Sequence, residues 1–489
     1  MFAVGMSTLG AEIAAQRLMA PFFGSSTIIW ANTIAVVLLA LSVGYWLGGR
    51  LADRRPDRRA LATLVLVGSV LLAVVPFVSH PFLSLSVSAF ENISAGAFTA
   101  SLFGTLVLVA TPLLLLGAVS PWATRIRLAA VEETGSVAGR LYALSTIGSL
   151  VGVFFVSLWA IEAIGSQRTF VVLATVPALV AAGQLGARAF AVPAVLLAAL
   201  AIPPGMTKQA EDGGRVLYET ETPYQYARVI EDDDGSIKLE LNEGQAIHSL
   251  RRPGTVLTGG YWDGYLTLPF ATGAGRPPGR IAALGTAGGT VPRAYAHFFP
   301  ETRIDAVDID GELFEIGRRY FDLRPREQLR EFAEDARPFL RSTRERYDSI
   351  FVDAYRQPYI PFYLTTREFF ELVRDRLNPG GSVIINIGHP RDSQELEKAL
   401  TATMREVFAH VARDPIQSLN SLVIASDTPV SAEALRAAPL PAELSALASQ
   451  SAARLEDGLR GGRVFTDDKA PVEWLIDASI VQYAAGEGE

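Results

Sequence analysis

Hydrophobic positions divide the chain into two parts. Before about residue 204 the apolar residues form long runs, whereas after it they alternate with polar residues. A membrane-spanning helix needs about 20 mostly apolar residues. About seven segments meet or approach that length, and they are residues 2–22, 29–48, 60–80, 98–120, 139–161, 168–185 and 188–203. The pattern therefore predicts an α-helical, multi-span membrane domain over residues 1–205.

Basic residues indicate the orientation of this predicted bundle. Arginines cluster between residues 50 and 59, after the second segment, and Arg125 and Arg127 follow the fourth. Because cytoplasmic loops carry an excess of basic residues, both loops and the N-terminus are predicted to face the cytoplasm. Seven spans would then place the C-terminal part outside the cell, whereas six or eight would place it inside.

Several residues in this part invite a functional interpretation. Glu12 and Arg17 lie within the first predicted span, where charged side chains are expensive and often functional. The alternative is that Gln16 holds Glu12 while Arg17 reaches the membrane interface. The loop GGRLADRRPDRR, residues 48–59, resembles a loop signature of major facilitator transporters, so transport is a further alternative. Two glycine pairs would let helices pack closely, and they are Gly44 with Gly48 and Gly148 with Gly152.

The second part has the pattern of an α/β protein. Residues 206–275 alternate apolar and polar positions around turn signals, which predicts a small antiparallel β element. Over residues 276–489, four apolar strands alternate with amphipathic helices, and these strands are RIAALG, RIDAVDID, YDSIFVDAY and GSVIINIG. This alternation is typical of a doubly wound, mostly parallel sheet. Ligands of such sheets bind at the carboxyl ends of the strands.

A glycine-rich turn, LGTAGGT, follows the first of these strands. Gly285, Gly288 and Gly289 would let backbone approach a ligand closely and would leave amides at a helix N-terminus. Asp308 follows about 20 residues later, at the end of the second strand, where an acid can accept hydrogen bonds from ribose hydroxyls. The alternative for Asp308 is a helix cap, although Asp310 suits that role better.

Two further acids follow later strands. Asp335 precedes a helix-like segment, so it either accepts from an adenine amino group or caps that helix. Asp353 ends the strand SIFVD, where a carboxylate can position an attacking amine and take its proton. The alternative for Asp353 is a capping or turn residue. Acids at three successive strand ends, together with the glycine turn, predict a nucleoside-binding active site.

Composition excludes several other classes of function. The net charge of −8 argues against nucleic acid as the main partner, because phosphate binding requires a basic surface. The chain contains no cysteine, so it has neither disulfides nor thiolate metal sites, and its five histidines show no metal-ligand spacing.

These motifs resemble the spermidine synthase (polyamine aminopropyltransferase) family. The resemblance is carried by ETPYQYARVIED, YWDGYLTLPF, LGTAGGT, VDID, EDAR and YDSIFVDAY, and the whole chain is similar to bacterial membrane-fused members. It implies a Rossmann-like, methyltransferase-type domain after the membrane bundle, with decarboxylated S-adenosylmethionine as co-substrate and no metal. It further implies Asp353 as the catalytic acid, Asp308 at the ribose and Asp335 at the adenine. Gln225, Tyr261 and Asp263 would line the donor and amine sites.

The chain departs from the family pattern where the amine should bind. The family pattern has an aspartate in place of Ala287 and another in place of Arg356, and a polar residue where Trp262 stands. A dication such as putrescine needs opposing carboxylates, of which Asp263 and Asp353 remain, together with Glu243. The resemblance therefore predicts aminopropyl transfer to an amine such as putrescine, with the acceptor left open. Two alternatives remain, a methyltransferase-type enzyme using S-adenosylmethionine and a polyamine-like transporter with a nucleoside-binding regulatory domain.

The resemblance also bears on location and assembly. Because the donor is a cytosolic metabolite, the catalytic domain is predicted to be cytosolic, on a multi-pass protein of the cell's inner membrane. Spermidine synthases are usually oligomeric, so a homodimer is expected. A small-molecule amine and the lipid bilayer are the other expected partners.

Overall fold

The chain forms two compact units in a computed structural model. The structure describes residues 1–24, 27–90, 96–128, 134–203, 205, 207–208, 210, 213–244, 246–356, 359–388 and 393–476. The helical unit comprises Met1–Gln209 together with Glu219–Ala227, and the α/β unit comprises Ala210–Tyr218 together with Arg228–Glu489. The predicted boundary between residues 205 and 206 lies near the division after Gln209. Met206 itself is outside the described residues.

The helical unit contains nine α-helices among the residues described. They are α1 (Phe2–Phe23), α2 (Thr27–Arg54), α3 (Arg58–Phe90), α4 (Gly96–Thr105), α5 (Thr111–Gly117), α6 (Val119–Arg127), α7 (Thr134–Phe155), α8 (Ile161–Leu185) and α9 (Ala191–Ala199). Short π-helical segments at Leu106–Ala110 and Val156–Ala160 join α4 to α5 and α7 to α8. A 3₁₀ turn at Ala187–Phe190 precedes α9.

Four helical stretches of the described chain are long and apolar enough to cross a membrane, and they are Ile29–Arg54, Arg58–Ser86, Thr99–Arg127 and Thr134–Leu185. The last is 52 residues long, more than twice the roughly 20 that one span requires. It is interrupted at Gly165, whose φ of 75° is not helical. That break separates the predicted segments 139–161 and 168–185. The segment predicted over 188–203 forms a shorter helix, α9.

Both predicted glycine pairs lie at close helix crossings, as expected. A Cβ at Gly148 or Gly152 would overlap the carbonyl oxygens of Phe2 and Met6 on α1. A Cβ at Gly44 would overlap the carbonyl oxygen of Leu114, and Gly48 packs equally closely against Ala118. Because glycine has no side chain, these positions allow α7 to pack closely on α1, and α2 to pack closely on α5 and α6.

A β-hairpin tip, Glu219–Ala227, belongs to the helical unit and contacts two of its helices. Arg17 of α1 donates to the backbone carbonyls of Thr222 and Pro223. Glu221 accepts from the amide of Ser166 at 2.8 Å and from its hydroxyl at 2.7 Å, directly after the break at Gly165. Burial raises the pKa of the Glu221 carboxyl, while the Ser166 hydrogen bonds and the charge of Arg17 lower it. Arg17 therefore has protein partners on the hairpin tip, and its position relative to a membrane stays a prediction.

The predicted antiparallel β element is a four-stranded sheet in the order β1-β2-β3-β4. Its strands are β1 (Arg215–Glu221), β2 (Tyr226–Glu231), β3 (Ile237–Leu241) and β4 (Ile247–Arg251). Within it, the buried Arg228 pairs with Glu240. Two 3₁₀ turns, Tyr261–Leu266 and Leu268–Thr272, lead from this sheet to the main sheet.

The main sheet has eight strands in the order β12-β10-β11-β9-β8-β5-β6-β7. They are β5 (Arg280–Leu284), β6 (Arg303–Asp308), β7 (Leu329–Ala333), β8 (Tyr347–Val352), β9 (Leu377–Gly388), β10 (His410–Gln417), β11 (Asn420–Ser426) and β12 (Glu456–Asp457). β7, β6, β5, β8 and β9 are parallel neighbours, and the remaining pairings are antiparallel. The predicted doubly wound, mostly parallel, Rossmann-like fold is confirmed.

Helices cover both faces of this sheet. They are α10 (Thr290–Phe298), α11 (Glu312–Tyr320), α12 (Ala336–Ser342), α13 (Arg367–Asp375), α14 (Glu395–Arg405), α15 (Ala432–Arg436) and α16 (Ala442–Arg454), with a 3₁₀ turn at Phe362–Leu364. Their apolar sides form two separate cores with the strands. Strands buried on both faces explain the continuous apolar runs in the sequence.

The motif TDDKAPVEWL, residues 466–475, connects two of these helices through hydrogen bonds of Asp467. Asp467 accepts two hydrogen bonds from Arg337 of α12, at 2.7 and 2.6 Å, and one from the hydroxyl of Thr366. The Arg337 guanidinium holds the pKa of Asp467 below its ordinary value. Since Thr366 also caps α13 at the amide of Phe369, this aspartate joins the starts of α12 and α13.

Candidate active site

The candidate site lies where the strand order of the main sheet reverses. From β5 the chain proceeds to β6 and β7 on one side and then returns to β8 and β9 on the other. Ligands of doubly wound sheets bind at such a switch point, beyond the carboxyl ends of the strands. Gly285 follows β5 and Asp353 follows β8, and the amide of Asp353 donates to the carbonyl of Leu284 at 2.8 Å.

The two carboxylate oxygens of Asp353 differ in their hydrogen bonds. Its Oδ1 accepts from Nδ2 of Asn386 at 2.9 Å and from the hydroxyl of Tyr261 at 3.4 Å. Its Oδ2 accepts no hydrogen bond from the residues that the structure describes. The residue is partly exposed. Loss of hydration at its carboxyl raises the pKa from 3.8 to about 6, and the hydrogen bonds from Asn386 and Tyr261 oppose this rise. Such a carboxylate suits proton transfer near neutral pH.

Aromatic side chains surround this carboxylate. Tyr261 stacks on Trp262 with ring centroids 4.4 Å apart, and Tyr265 packs on Phe351 at 4.7 Å. The Tyr355 hydroxyl donates to the carbonyl of Asn386 at 3.0 Å and accepts from a backbone amide of β9 at 2.7 Å. Burial raises the pKa of these three tyrosines, so their hydroxyls remain protonated at neutral pH.

Asp308, predicted at the ribose, binds the glycine loop in this structure. Its Oδ2 accepts from the amides of Thr286 at 3.0 Å and Ala287 at 2.8 Å, and its Oδ1 accepts from the amide of Asp310 at 3.0 Å. Burial raises its pKa to about 6, which these hydrogen bonds oppose. Because Oδ1 accepts only one of these bonds, it retains capacity for a hydroxyl donor. The ribose role stays a prediction.

The amides of the glycine loop donate to protein acceptors in this structure. The amide of Gly288 donates to the hydroxyl of Ser249 at 2.8 Å. The amide of Gly289 donates to the carbonyl of Thr286, and that of Gly285 to the carbonyl of Val307. These bonds and the two to Asp308 occupy every amide from residue 285 to 289. The loop's backbone thus fixes its own shape, and donor binding by its glycines stays a prediction.

Steric constraints explain the glycines themselves. Gly285 has φ of 85°, and a Cβ there would overlap the backbone of Asp353. A Cβ at Gly288 would lie 3.0 Å from Phe321 and 3.1 Å from Ser249, and one at Gly289 would lie 2.7 Å from Leu323. Ala287 also has a left-handed backbone, with φ of 46°. An L-residue other than glycine adopts that conformation at a cost of about 1–2 kcal/mol.

Two other predicted site acids have structural partners. Asp335 caps α12, because its Oδ1 accepts from the amide of Arg337 at 3.0 Å, and its Oδ2 accepts from the hydroxyl of Tyr363. Asp263 accepts from Thr258 and from the amide of Gly259, so it shapes the loop before the first 3₁₀ turn. The capping alternative for Asp335 is confirmed. The adenine role of Asp335 and the substrate role of Asp263 stay predictions.

Gln225 and Arg356 are two further residues that the sequence related to the site. Gln225 belongs to the helical unit, in the turn between β1 and β2, where its amide donates to the hydroxyl of Thr222 at 3.1 Å. Arg356 is exposed, exchanges backbone hydrogen bonds with Tyr359, and lowers the pKa of Tyr363. Its charge therefore acts at the Asp335 side of the site.

Several residues of the site were missed at the sequence level. Asn386 interrupts the apolar strand GSVIINIG, which is a signal that could have identified it. Asn420 donates from Nδ2 to Oδ1 of Asn386 at 2.9 Å, and Ser249 fixes the glycine loop. No local pattern distinguishes these two residues: the register of β11 on β9 brings Asn420 to Asn386, and the packing of β4 on the glycine loop brings Ser249 to Gly288. Across the described parts of the chain, no group of three or more His, Asp or Glu side chains is placed to hold a metal ion.

Comparisons with known proteins identify the family. Residues 277–419 match the spermine/spermidine synthase domain. A probable polyamine aminopropyl transferase of Bifidobacterium longum is 34% identical over 194 residues, which cover 40% of this chain and 42% of that relative. A polyamine aminopropyltransferase of Vibrio vulnificus is 31% identical over 212 residues, which cover 40% of this chain and 70% of that relative.

One solved structure gives a further comparison. The crystal structure of a probable spermidine synthase from Corynebacterium glutamicum is 24% identical, covers 51% of this chain and 97% of its own, and has a TM-score of 0.40. The Bifidobacterium relative is matched over less than half of its own length, whereas more than two thirds of the Vibrio enzyme is matched. On the strength of the latter match, the chain belongs to the polyamine aminopropyltransferase family of transferases.

Proposed function

We propose that the protein is a membrane-anchored aminopropyltransferase that transfers the aminopropyl group of decarboxylated S-adenosylmethionine to a primary amine. The observation that carries the proposal is the Asp353 carboxylate, whose Oδ1 is held by Asn386 and Tyr261 while Oδ2 is open. The carboxylate stands at the switch point of the sheet, where a ligand is expected. Membership of the family supports the same activity.

The reaction requires little chemistry from the protein. The neutral amine nitrogen attacks the aminopropyl carbon next to the sulfonium, a C–N bond forms, and the C–S bond breaks. The bond's electron pair goes to sulfur, which leaves as the neutral thioether methylthioadenosine. The new ammonium releases a proton, which Oδ2 of Asp353 accepts. Since the leaving group is already activated, the enzyme contributes mainly positioning and this proton transfer.

We assign donor binding to two acids at strand ends of the main sheet, Asp308 at the end of β6 and Asp335 after β7. Asp308 would accept from a ribose hydroxyl through Oδ1, and Asp335 from the adenine amino group. Gly285, Gly288 and Gly289 would allow close approach, while Gln225 would contact the donor and Tyr261 and Asp263 the amine. These roles rest on the resemblance and on the lone pairs that both acids retain.

The helical unit would anchor the enzyme in the membrane. The four long apolar stretches support this role, because each exceeds the thickness of a bilayer's hydrocarbon core. We place the catalytic domain in the cytosol, where the donor is available. We expect a homodimer because spermidine synthases are usually oligomeric. Putrescine is the first acceptor to test, although Arg356 adds positive charge near the site.

Turnover by the full-length protein in detergent tests the proposal. Methylthioadenosine formation is measured with decarboxylated S-adenosylmethionine and putrescine, other diamines or monoamines. Amine-dependent formation that Asp353→Asn lowers by about 100-fold or more would support the proposal. Asp427→Asn, at the far end of the sheet, serves as a control and should retain activity. Methyl transfer from S-adenosylmethionine would favour the methyltransferase alternative, and absence of donor binding by the folded protein would refute both.

A further inference from the structure

Two side-chain amides connect the antiparallel part of the sheet to Asp353 by hydrogen bonds. Nδ2 of Asn420 donates to Oδ1 of Asn386 at 2.9 Å, and Nδ2 of Asn386 donates to Oδ1 of Asp353, also at 2.9 Å. Asn420 is the first residue of β11 and Asn386 lies in the adjacent β9, so the register of these strands brings the two together. Asn386 is buried, with 2% of its surface exposed.

The direction of this chain follows from chemistry alone. A carboxylate only accepts hydrogen bonds, so Asn386 must present its NH₂ group to Asp353. The carbonyl oxygen of the same amide then faces Asn420, which must present its own NH₂ group. A flipped Asn386 would place an oxygen against the carboxylate and leave two acceptors in contact. The carboxylate therefore fixes the orientation of Asn386, and Asn420 reinforces it by donating to the carbonyl oxygen of that amide, which favours the charged form of Asp353.

We propose that Asn420 is a positioning residue for aminopropyl transfer, acting through Asn386 to keep Asp353 charged and to direct its Oδ2 to the amine. Two donors, Asn386 and Tyr261, converge on Oδ1 and leave the proton to arrive on Oδ2. The identity of the reaction rests on the proposed function. The orientation of the carboxylate does not, because it follows from contacts within the α/β unit.

The groups around Asp353 allow its titration to be distinguished from theirs. The titratable groups that face it are the phenols of Tyr261 and Tyr265 on the 3₁₀ turn and of Tyr355 on the following loop. The other facing group is the neutral amide of Asn386 on β9. Burial raises the pKa of the three phenols, so Asp353 is the group of this set that titrates near neutral pH.

The isosteric variant Asn420→Asp tests the proposal. An aspartate at this position accepts where asparagine donates, so it competes with Asp353 for the NH₂ group of Asn386 and adds a negative charge. The acidic limb of the kcat/KM profile should then move to higher pH by about one unit. The KM of the donor should change less than about threefold. Asn420→Leu, which removes the donor without adding charge, should shift the limb in the same direction but less.

The same sheet provides a matched control. Nδ2 of Asn378 donates to Oδ1 of Asp348 at 2.8 Å, near the opposite end of β8 and β9. Asn378→Asp disturbs an equivalent amide–carboxylate pair and should leave the acidic limb in place. If Asn420 had only a structural role, both variants would lower activity without moving the limb.

A measurement without turnover separates this inference from the proposed function. The infrared carboxyl band of Asp353, identified by its loss in Asp353→Asn, is titrated in the full-length protein with ¹³C-labelled aspartate. The midpoint should rise by about one pH unit in Asn420→Asp and stay unchanged in Asn378→Asp. An unchanged midpoint in folded Asn420→Asp would overturn the inference. A shifted midpoint in a protein that never transfers aminopropyl would uphold the positioning role while the proposed function fails.

Discussion

Replacing Asp353 with asparagine should stabilise the α/β unit while it removes activity. The pKa of about 6 lies roughly two pH units above the ordinary 3.8, and each unit corresponds to about 1.4 kcal/mol. A charge at Asp353 would thus cost the folded state about 3 kcal/mol at pH 8. Since the side chain is partly exposed, solvent screening reduces the expected gain to about 1–3 kcal/mol. Asparagine can keep its Oδ1 as acceptor for Asn386 and Tyr261, so little contact is lost.

The pH dependence gives this prediction its sign. Below about pH 4 Asp353 is protonated in both the folded and the unfolded protein, so its charge affects neither. Between about pH 4 and pH 6 the unfolded state loses the proton first, and wild type therefore loses stability as pH rises. Above about pH 6 both states are charged and the difference stays constant. The advantage of the variant should therefore grow from pH 4.5 to pH 8.

Thermal unfolding in detergent at pH 4.5 and pH 8 provides the measurement. Asp353→Asn should unfold several degrees higher than wild type at pH 8, with a smaller difference at pH 4.5. Asp427→Asn is the control, because its pairing with Arg374 is largely exposed and such pairs contribute little. If Asp353→Asn were no more stable than wild type at pH 8, the charge would not be costly. The assignment of Asp353 as a base with a raised pKa would then lose its physical basis.

Three further substitutions test the contacts around this site and the hairpin. Ala287→Gly should raise stability by about 1 kcal/mol in denaturant titrations, because glycine adopts its φ of 46° without strain; a loss would show that the loop tolerates alanine there. Gly285→Ala should abolish donor binding in calorimetry and lower the melting temperature, because its Cβ would overlap Asp353; unaltered binding would contradict this geometry. Glu221→Ala should destabilise the helical unit by about 1–3 kcal/mol in thermal unfolding, since Ser166 loses its acceptor; an unchanged transition would remove that role.

The sheet could be predicted because its pattern is local. Apolar runs such as Ile281–Leu284 alternate with amphipathic helices, and that alternation determines both the element types and the parallel pairing. The positions of Asp308 and Asp353 follow directly, since each stands at the end of such a run. The apolar pattern did not indicate that the antiparallel strands β10 and β11 contribute to the site. β11 does contribute, because Asn420 lies at its first position and donates to Asn386.

Roles that depend on partners could not be predicted in the same way. An aspartate before a helix has the same sequence context whether it caps the helix, as Asp335 does, or binds a ligand. The partners of Asp308 are amides of its own glycine loop, which the motif alone does not show. Arg17 donates to carbonyls more than 200 residues away in sequence, and no local pattern in an apolar helix encodes such a contact. Asn420 reaches Asn386 through strand register, which depends on the whole sheet.

The hairpin tip has a consequence for how such a two-part protein can be divided. Residues 219–227 follow the apolar helices in sequence, and they make polar contacts with Arg17 and Ser166 of the helical unit. A fragment that begins near residue 206 would carry Glu221 without the amide and hydroxyl that it now accepts from. Exchanging the helical part for that of a relative would preserve the contacts of the tip only if both partners came with it. The helical part and the hairpin tip are therefore expected to be inherited and engineered together, although the tip follows residue 206 in sequence.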